Sequence, residues 1–259
     1  MSLPLLVRTL SYLGMFGAML LLEWVRPFAV SEQKRKFRIV FHLGIALSNS
    51  IVLYLVMTWP LQAALSVTTN HHIGITHLLG VRGGFEILAT VIAFDLWDYW
   101  MHLANHRVRL FWRFHKAHHS DMELDVTTSA RFHIGELAIS NSLKCLMILA
   151  WGPSLWGLVA FDIFLNLASE FHHSNVNIPL SIQDQIEKVI VTPKMHRCHH
   201  SLYPDCSNTN YASILSLWDR LFRSYHRAWK LQELEAVGLG GLSGPDIMRL
   251  GPFLVTPFA

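Results

Sequence analysis

A chain of 259 residues that is 52% hydrophobic and only 15% charged, with a positive mean hydropathy, is too apolar for an ordinary soluble domain of its size. Its formal net charge of +3 comes from scattered Lys and Arg with no basic block, which gives no ground for a nucleic-acid partner. The three cysteines, Cys145, Cys198 and Cys206, are odd in number and form no CxxC pair; they exclude a disulfide framework, fit a reducing, cytosol-facing environment, and read as bystanders.

Residues 5–28 hold the first apolar run long enough to cross about 30 Å of hydrocarbon at 1.5 Å per helical residue. No small-residue cleavage site follows it, so a retained span is expected rather than a signal peptide. The cationic loop SEQKRKFR, residues 31–38, then sets the orientation, because such loops stay in the cytoplasm. A second span is expected over 39–67, which puts TTNHHIGITH on the opposite side, and a third over 85–100 brings the chain back. From 134 to 171 a mostly apolar length, broken by Trp151-Gly152-Pro153-Ser154, reads as a helical hairpin that returns to the side it entered from. The tail after Tyr225, with GLGGLSGPD and GPFLVTPFA, reads as a loop and a peripheral apolar segment. The expected architecture is all-α: an integral membrane bundle of about four spans with a cytosolic, histidine-rich helical cap. Residues 1–84 form the N-terminal spans, 85–225 the catalytic region with its hairpin and 226–259 the tail, all in one structural unit. There is no solenoid repeat and no low-complexity segment.

Sixteen histidines are the outlier, and eleven of them lie between His102 and His200. His102 and His106 stand at i and i+4 where the third span leaves the bilayer, on one helix face. WRFHKAHHS places His115, His118 and His119 at i, i+3 and i+4. TPKMHRCHHS repeats that spacing with His196, His199 and His200. One HxxxH pair is weak evidence of a metal, but two HxxHH sets would leave too many polar rings idle at a membrane surface. Eight imidazoles exceed the needs of one tetrahedral zinc and favour two metals with about four nitrogens each; spacing alone does not choose among iron, copper and zinc. His173, His133 and, less so, His172 are further candidate ligands. Asp95, Asp98, Glu136, Glu170 and Asn175 lie near enough in sequence to accept the second N–H of a metal-bound imidazole, or to serve as caps. His42, His71, His72, His77 and His226 lack ligand spacing and read as structural.

In this order the motifs resemble the fatty acid hydroxylase and sterol desaturase superfamily, over residues 85–225. DLWDYWMHLANH is similar to its first box, WRFHKAHHS to its second and TPKMHRCHHS to its last, with RFHIGE, FHHSN and NYASILSLWDRLFRSY in the expected places between and after them. The resemblance implies a four-span protein whose cytosolic cap holds two irons. With O2 and external electrons these hydroxylate or desaturate a membrane lipid, whether fatty acyl, sterol or related. It carries over His102, His106, His115, His118, His119, His196, His199 and His200 as ligands, with His173 and His133 added. Leu103 departs from the family pattern, which often has arginine there, and this puts a local ion pair in doubt. No fused haem domain is expected, and a separate reductase or small redox carrier is the expected electron donor.

Two rival readings stand beside this one. A zinc-dependent membrane hydrolase would want a carboxylate base, and no HExxH motif occurs. A metal transporter or sensor would place histidines near the bilayer centre, whereas here they gather at span ends.

Overall fold

The computed structural model describes residues 3–30, 35–228, 230–242 and 245–259, and these are all-helical, with isolated bridges in place of a sheet. Four residues of the cationic loop, Ser31 to Lys34, and Ser243-Gly244 of the tail lie outside the described residues. Helix α1 runs Leu3–Val25, α2 Arg35–His71, the short α3 Ile75–Leu78, α4 Gly83–Arg107 and α5 Arg109–His119. After a 3-10 turn at Val126–Ala130 come α6 Ile134–Trp151 and α7 Leu155–His173. Small helices follow: α8 Leu180–Ile186, α9 Pro193–His199, α10 Pro204–Ser207, α11 Leu217–Leu221, α12 Leu231–Glu235 and α13 Leu250–Val255.

The long helices form a bundle in which α2 packs on α6, while α4 and α1 both pack on α7. Their outward faces are apolar: Leu10, Trp24, Val40, Trp59 and Phe85 are each more than half exposed. Apolar side chains turned outward are stable only against lipid or another protein. Among the described residues, three helical segments are long and apolar enough to cross a membrane: Leu3–Val25, Arg35–Leu78 and Ile134–Trp151. The expected third span and the returning arm of the hairpin are not among them. Helix α4 carries Glu86, Asp95 and Asp98, and α7 carries Asp162 and Glu170; hydropathy counts these charges without regard to where they point. Glu86, Asp95 and Glu170 point inward and are buried.

The hairpin turn between α6 and α7 closes on Gly152, which caps α6 in the left-handed region at φ 73°. A β-carbon there would stand 2.5 Å from the carbonyl oxygen of Ile73, so the close approach requires glycine. Ser154 caps α7 by accepting from the N–H of Gly157, and its own N–H donates to Glu86 at 2.9 Å. The turn is thus fixed to α3 and the start of α4, at the end of the bundle away from His102 and His173.

At the opposite end the other helix termini enter the cap. Arg38, fully buried near the start of α2, makes a two-pronged contact with Asp121 at 2.6 and 3.1 Å and reaches Asp125 at 3.0 Å. Glu23 near the end of α1 accepts from the N–H groups of Val126 and Asn175. The tail is a surface-lying apolar segment, with Leu250, Leu254, Val255 and Phe258 exposed, and it is anchored through Phe253, which is fully buried against Phe41, Ile45 and Ala117.

Candidate metal centre

Nine histidines meet inside the cap in two adjoining groups. His102 and His106 come from the last turns of α4, His115 and His119 from α5, and His199 from α9; in each, one ring nitrogen lies within 4.8 Å of one in every other. His118 of α5, His173 at the end of α7, and His196 and His200 of α9 form the second group by the same measure. The groups touch: the rings of His119 and His200 stack at 4.2 Å between centroids. Each HxxHH set is divided between the groups, because side chains at i, i+3 and i+4 share a face yet fan across it.

The backbone and one carboxylate decide which nitrogen of each ring is free. His102 Nδ1 donates to the carbonyl of Tyr211 at 2.8 Å, His118 Nδ1 to that of Arg131 at 3.2 Å, His173 Nδ1 to that of Ser169 at 2.7 Å and His199 Nδ1 to that of Thr209 at 2.7 Å. His115 Nδ1 donates to Glu136 at 2.7 Å. A carbonyl only accepts, so Nδ1 carries the hydrogen and Nε2 keeps its lone pair in these neutral rings.

That tautomer gives a direct test of metal fit. Nε2 of His118 faces Nε2 of His173 at 3.1 Å, and both are lone pairs. Two such lone pairs repel unless a cation accepts them both. Nε2 of His106 and of His199 are likewise buried without a hydrogen-bond partner. Burial, reinforced by neighbouring imidazoles, holds His118, His119, His196 and His200 well below the ordinary histidine range, and burial pushes His199 down to about 3. Neutral, pre-oriented imidazoles with converging lone pairs suit a pair of nitrogen-ligated transition metals.

The remaining sequence candidates divide. His133 does not join either group. Its Nδ1 caps α6 by accepting from the N–H of Gly135, and its Nε2 reaches the carbonyl of Leu254 at 3.2 Å. His172 stands beside the second group, its ring 4.0 Å from that of His196 and its Nδ1 held by the carbonyl of Ser213, but it does not join the four converging nitrogens. Of the five polar neighbours only Glu136 accepts from an imidazole. Asp95 instead holds the loop after Ser213, accepting from the N–H groups of Ile214 and Leu215 and from Trp218 Nε1. Asp98 accepts from Ser213 Oγ, and Asn175 accepts from Ala29 and Arg197. Glu170 is buried, and its carboxylate has no hydrogen-bond partner among the described residues. The residues missed by sequence reasoning are Tyr211, Thr209, Arg131 and Ser169, which act through main-chain carbonyls that no side-chain pattern reports.

A cavity of about 620 Å³ opens beside the histidines and descends between the long helices. His102, His115, His118, His173 and His196 form its upper end; Leu13, Leu53, Phe161 and Leu165 line the shaft. Lower on the wall, Lys144 pairs with Asp162 at 2.7 Å and Arg8 with the same carboxylate at 3.2 Å. Asp162 lies eleven residues from His173 along α7, about 16 Å by helical rise.

The sequence profile of the family described as fatty acid hydroxylase matches residues 87–224, more than half of the chain and all nine clustered histidines. The chain belongs to this family. Among its relatives, alkylglycerol monooxygenase of Xenopus tropicalis is 32% identical over 167 residues, which are 64% of this chain and 34% of that protein. Ornithine lipid hydroxylase OlsE of Rhizobium tropici is 28% identical over 145 residues, 55% of this chain and 42% of the other. Very-long-chain aldehyde decarbonylase GL1-4 of Oryza sativa subsp. indica is 24% identical over 161 residues, 59% and 25% of the two chains. The matched region therefore spans less than half the length of each of these relatives. No solved structure gives a significant match.

Proposed function

We propose that this chain is a membrane-bound, O2-dependent di-iron oxidoreductase that hydroxylates a lipid, with electrons delivered by a separate reductase or redox carrier. The observation that carries this reading is the His118–His173 contact, two fixed lone pairs at 3.1 Å inside a set of nine converging imidazoles. His102, His106, His115, His119 and His199 would hold one iron; His118, His173, His196 and His200 would hold the other. Iron bound there would pass the external electrons to O2 and so supply the oxidising power toward an unactivated C–H bond that no side chain possesses.

The protein's own part is positioning and exclusion. Tyr211, Arg131, Ser169, Thr209 and Glu136 lock five rings in one tautomer, so little reorganisation remains when a metal binds. The cavity is large enough for an apolar chain and lies in the usual range for ligand sites. Its walls of α1, α2 and α7 would present one carbon of that chain to the histidine end, and the choice of carbon follows from where the shaft stops the chain. Hydroxylation is favoured over desaturation because the more similar relatives named above are a monooxygenase and a hydroxylase. We read α1, α2, α4 and the α6–α7 hairpin as the membrane part and the histidine end as cytoplasmic. Arg35, Lys36 and Arg38 at the cap end of α2 support that orientation.

Metal analysis of protein purified without oxygen tests the proposal. Two irons per chain, with O2 consumed once they are reduced, is the expected result. Imidazole clusters that carry zinc and no iron after iron-supplemented expression, with no O2 uptake, would refute it.

A further inference from the structure

On the far side of α9 from the paired histidine groups, Cys198, Cys206 and His226 converge, with one ligand atom of each within 4.8 Å of the others. We propose that they form a separate structural site for a thiophilic divalent cation, zinc by ligand preference. The two cysteines are 0% and 1% exposed and His226 is half-buried, so three protein donors would leave the fourth position of a tetrahedral ion to water. Two thiolates and an imidazole are a zinc donor set, and with ordinary Zn–S and Zn–N bonds their donor atoms stand about 3.6 to 3.8 Å apart in a tetrahedron. The present spread is within about 1 Å of that geometry. Binding replaces two S–H bonds by two Zn–S bonds and releases two protons, so the site stays at the same charge as the cation-free thiols. Cysteines gathered in a reducing compartment point to metal sooner than to a disulfide.

The spacing Cys198-x7-Cys206-x19-His226 matches no short motif, and only the fold brings the three together. Asn210 does much of this, donating to the carbonyls of Met195 and His226 and accepting from the N–H of His226. It thereby fastens α9 to the segment that carries His226. The loop from Cys206 to Asn210 also contains Thr209, whose hydroxyl donates to the carbonyl of Cys206 at 2.5 Å and whose own carbonyl holds His199. A cation on Cys198, Cys206 and His226 would therefore staple the loop that orients one of the nine imidazoles.

The test is cobalt substitution of the full chain, expressed in cobalt-supplemented medium and purified in detergent. Sulfur-to-cobalt charge transfer in the near ultraviolet reports thiolate ligation, which the all-imidazole groups cannot produce. The expected result is one thiolate-bound cobalt per chain. The band is lost in Cys198→Ser and Cys206→Ser and unchanged in Cys145→Ser, and cobalt is held at least about tenfold more weakly in His226→Gln, the cost of losing even an outer partner. Absence of the band in the wild-type chain overturns the site, as does a Cys198–Cys206 disulfide found by mass spectrometry. Should the buried cysteine variants fail to fold, His226→Gln decides: an unaltered band and unaltered cobalt retention refute the proposal. None of these outcomes depends on iron or on O2.

Discussion

Replacing Glu136 by Gln probes how far the outer partners tune the metal groups. Glu136 lies in the first turn of α6, is 5% exposed, and accepts from His115 Nδ1 at 2.7 Å and from Asn105 Nδ2 at 3.3 Å. Gln keeps the shape and can still accept from the imidazole, but it removes the charge. A hydrogen bond to a charged group contributes about 1.5–3 kcal/mol against about 0.5–1.5 kcal/mol for a neutral one, so the substitution costs about 1–2 kcal/mol at His115. At about 1.4 kcal/mol per decade that is roughly a 5- to 30-fold loss of metal affinity, near the lower part of the 10- to 100-fold expected of outer partners. The new amide N–H would occupy the place of Glu136 Oε2, which has no partner, so some fold stability is lost as well. Stability and affinity must therefore be measured separately. Graded chelator competition on detergent-purified protein reads the affinity, and Asp98→Asn, which alters a carboxylate that touches Ser213 rather than an imidazole, is the control. Iron held by Glu136→Gln within about twofold of wild type, with its melting temperature lowered, would show Glu136 to be a packing residue only.

Further outcomes separate ligands from their neighbours. His173→Ala lowers the iron count toward one per chain, whereas His133→Ala leaves it at two and costs about 1 kcal/mol of stability through the lost cap of α6, read by thermal unfolding. Acidification of metal-free protein destabilises it from about pH 6.5 downward. His118, His119, His196, His199 and His200 are neutral when folded and protonate when unfolded, so each removes about 1.4 kcal/mol per pH unit below its unfolded value. Asp121, held below the usual carboxylate range by Arg38, acts with the same sign in a lower window: its contribution is complete above about pH 4 and is lost only below it. Melting that stays flat from pH 7 to pH 4.5 would contradict the neutral-imidazole reading. Gly152→Ala disrupts the hairpin turn, since a β-carbon meets the Ile73 carbonyl at 2.5 Å and the residue sits at φ 73°; a loss above about 1 kcal/mol is expected, and an unchanged melting temperature would refute it.

How much of this was legible in the sequence follows from the kind of interaction involved. Helical spacing is local, so the eight box histidines could be named from it, and their partition into five in one group and three, joined by His173, in the other could not, because that depends on how α5 and α9 face each other. His173 was legible only as a neighbour of the hairpin's end. His133 has the same sequence credentials, yet its ring turns back to cap α6, and no periodicity distinguishes a cap from a ligand. The hairpin was announced by Gly152 and Pro153. The tail was legible as an apolar surface segment but its anchor was not, because nothing in the local pattern distinguishes Phe253 from its exposed neighbours, and only the groove beside Phe41 buries it. Cys198, Cys206 and His226 illustrate the same limit: 19 residues separate the last two, and contact across such a gap is a property of the fold.

The acids that keep α4 and α7 from reading as simple spans also help to place the site. Asp95 contributes nothing to an imidazole directly, but it fixes the backbone of Ile214 and Leu215 and the indole of Trp218 against α4. Asp219, one residue beyond that indole, accepts from the N–H groups of Tyr211 and Ala212. Tyr211 in turn presents the carbonyl that sets the tautomer of His102, seven residues along α4 from Asp95. The helix thus holds a loop through its carboxylate, and the loop returns two turns later to orient the helix's own His102. Such a closed circuit places buried charge within a low-dielectric bundle, where every acceptor left unpaired is costly. Charges that lower the hydropathy of α4 are therefore the ones its histidine-bearing end depends on, and a scale that sums residues one at a time cannot represent that dependence.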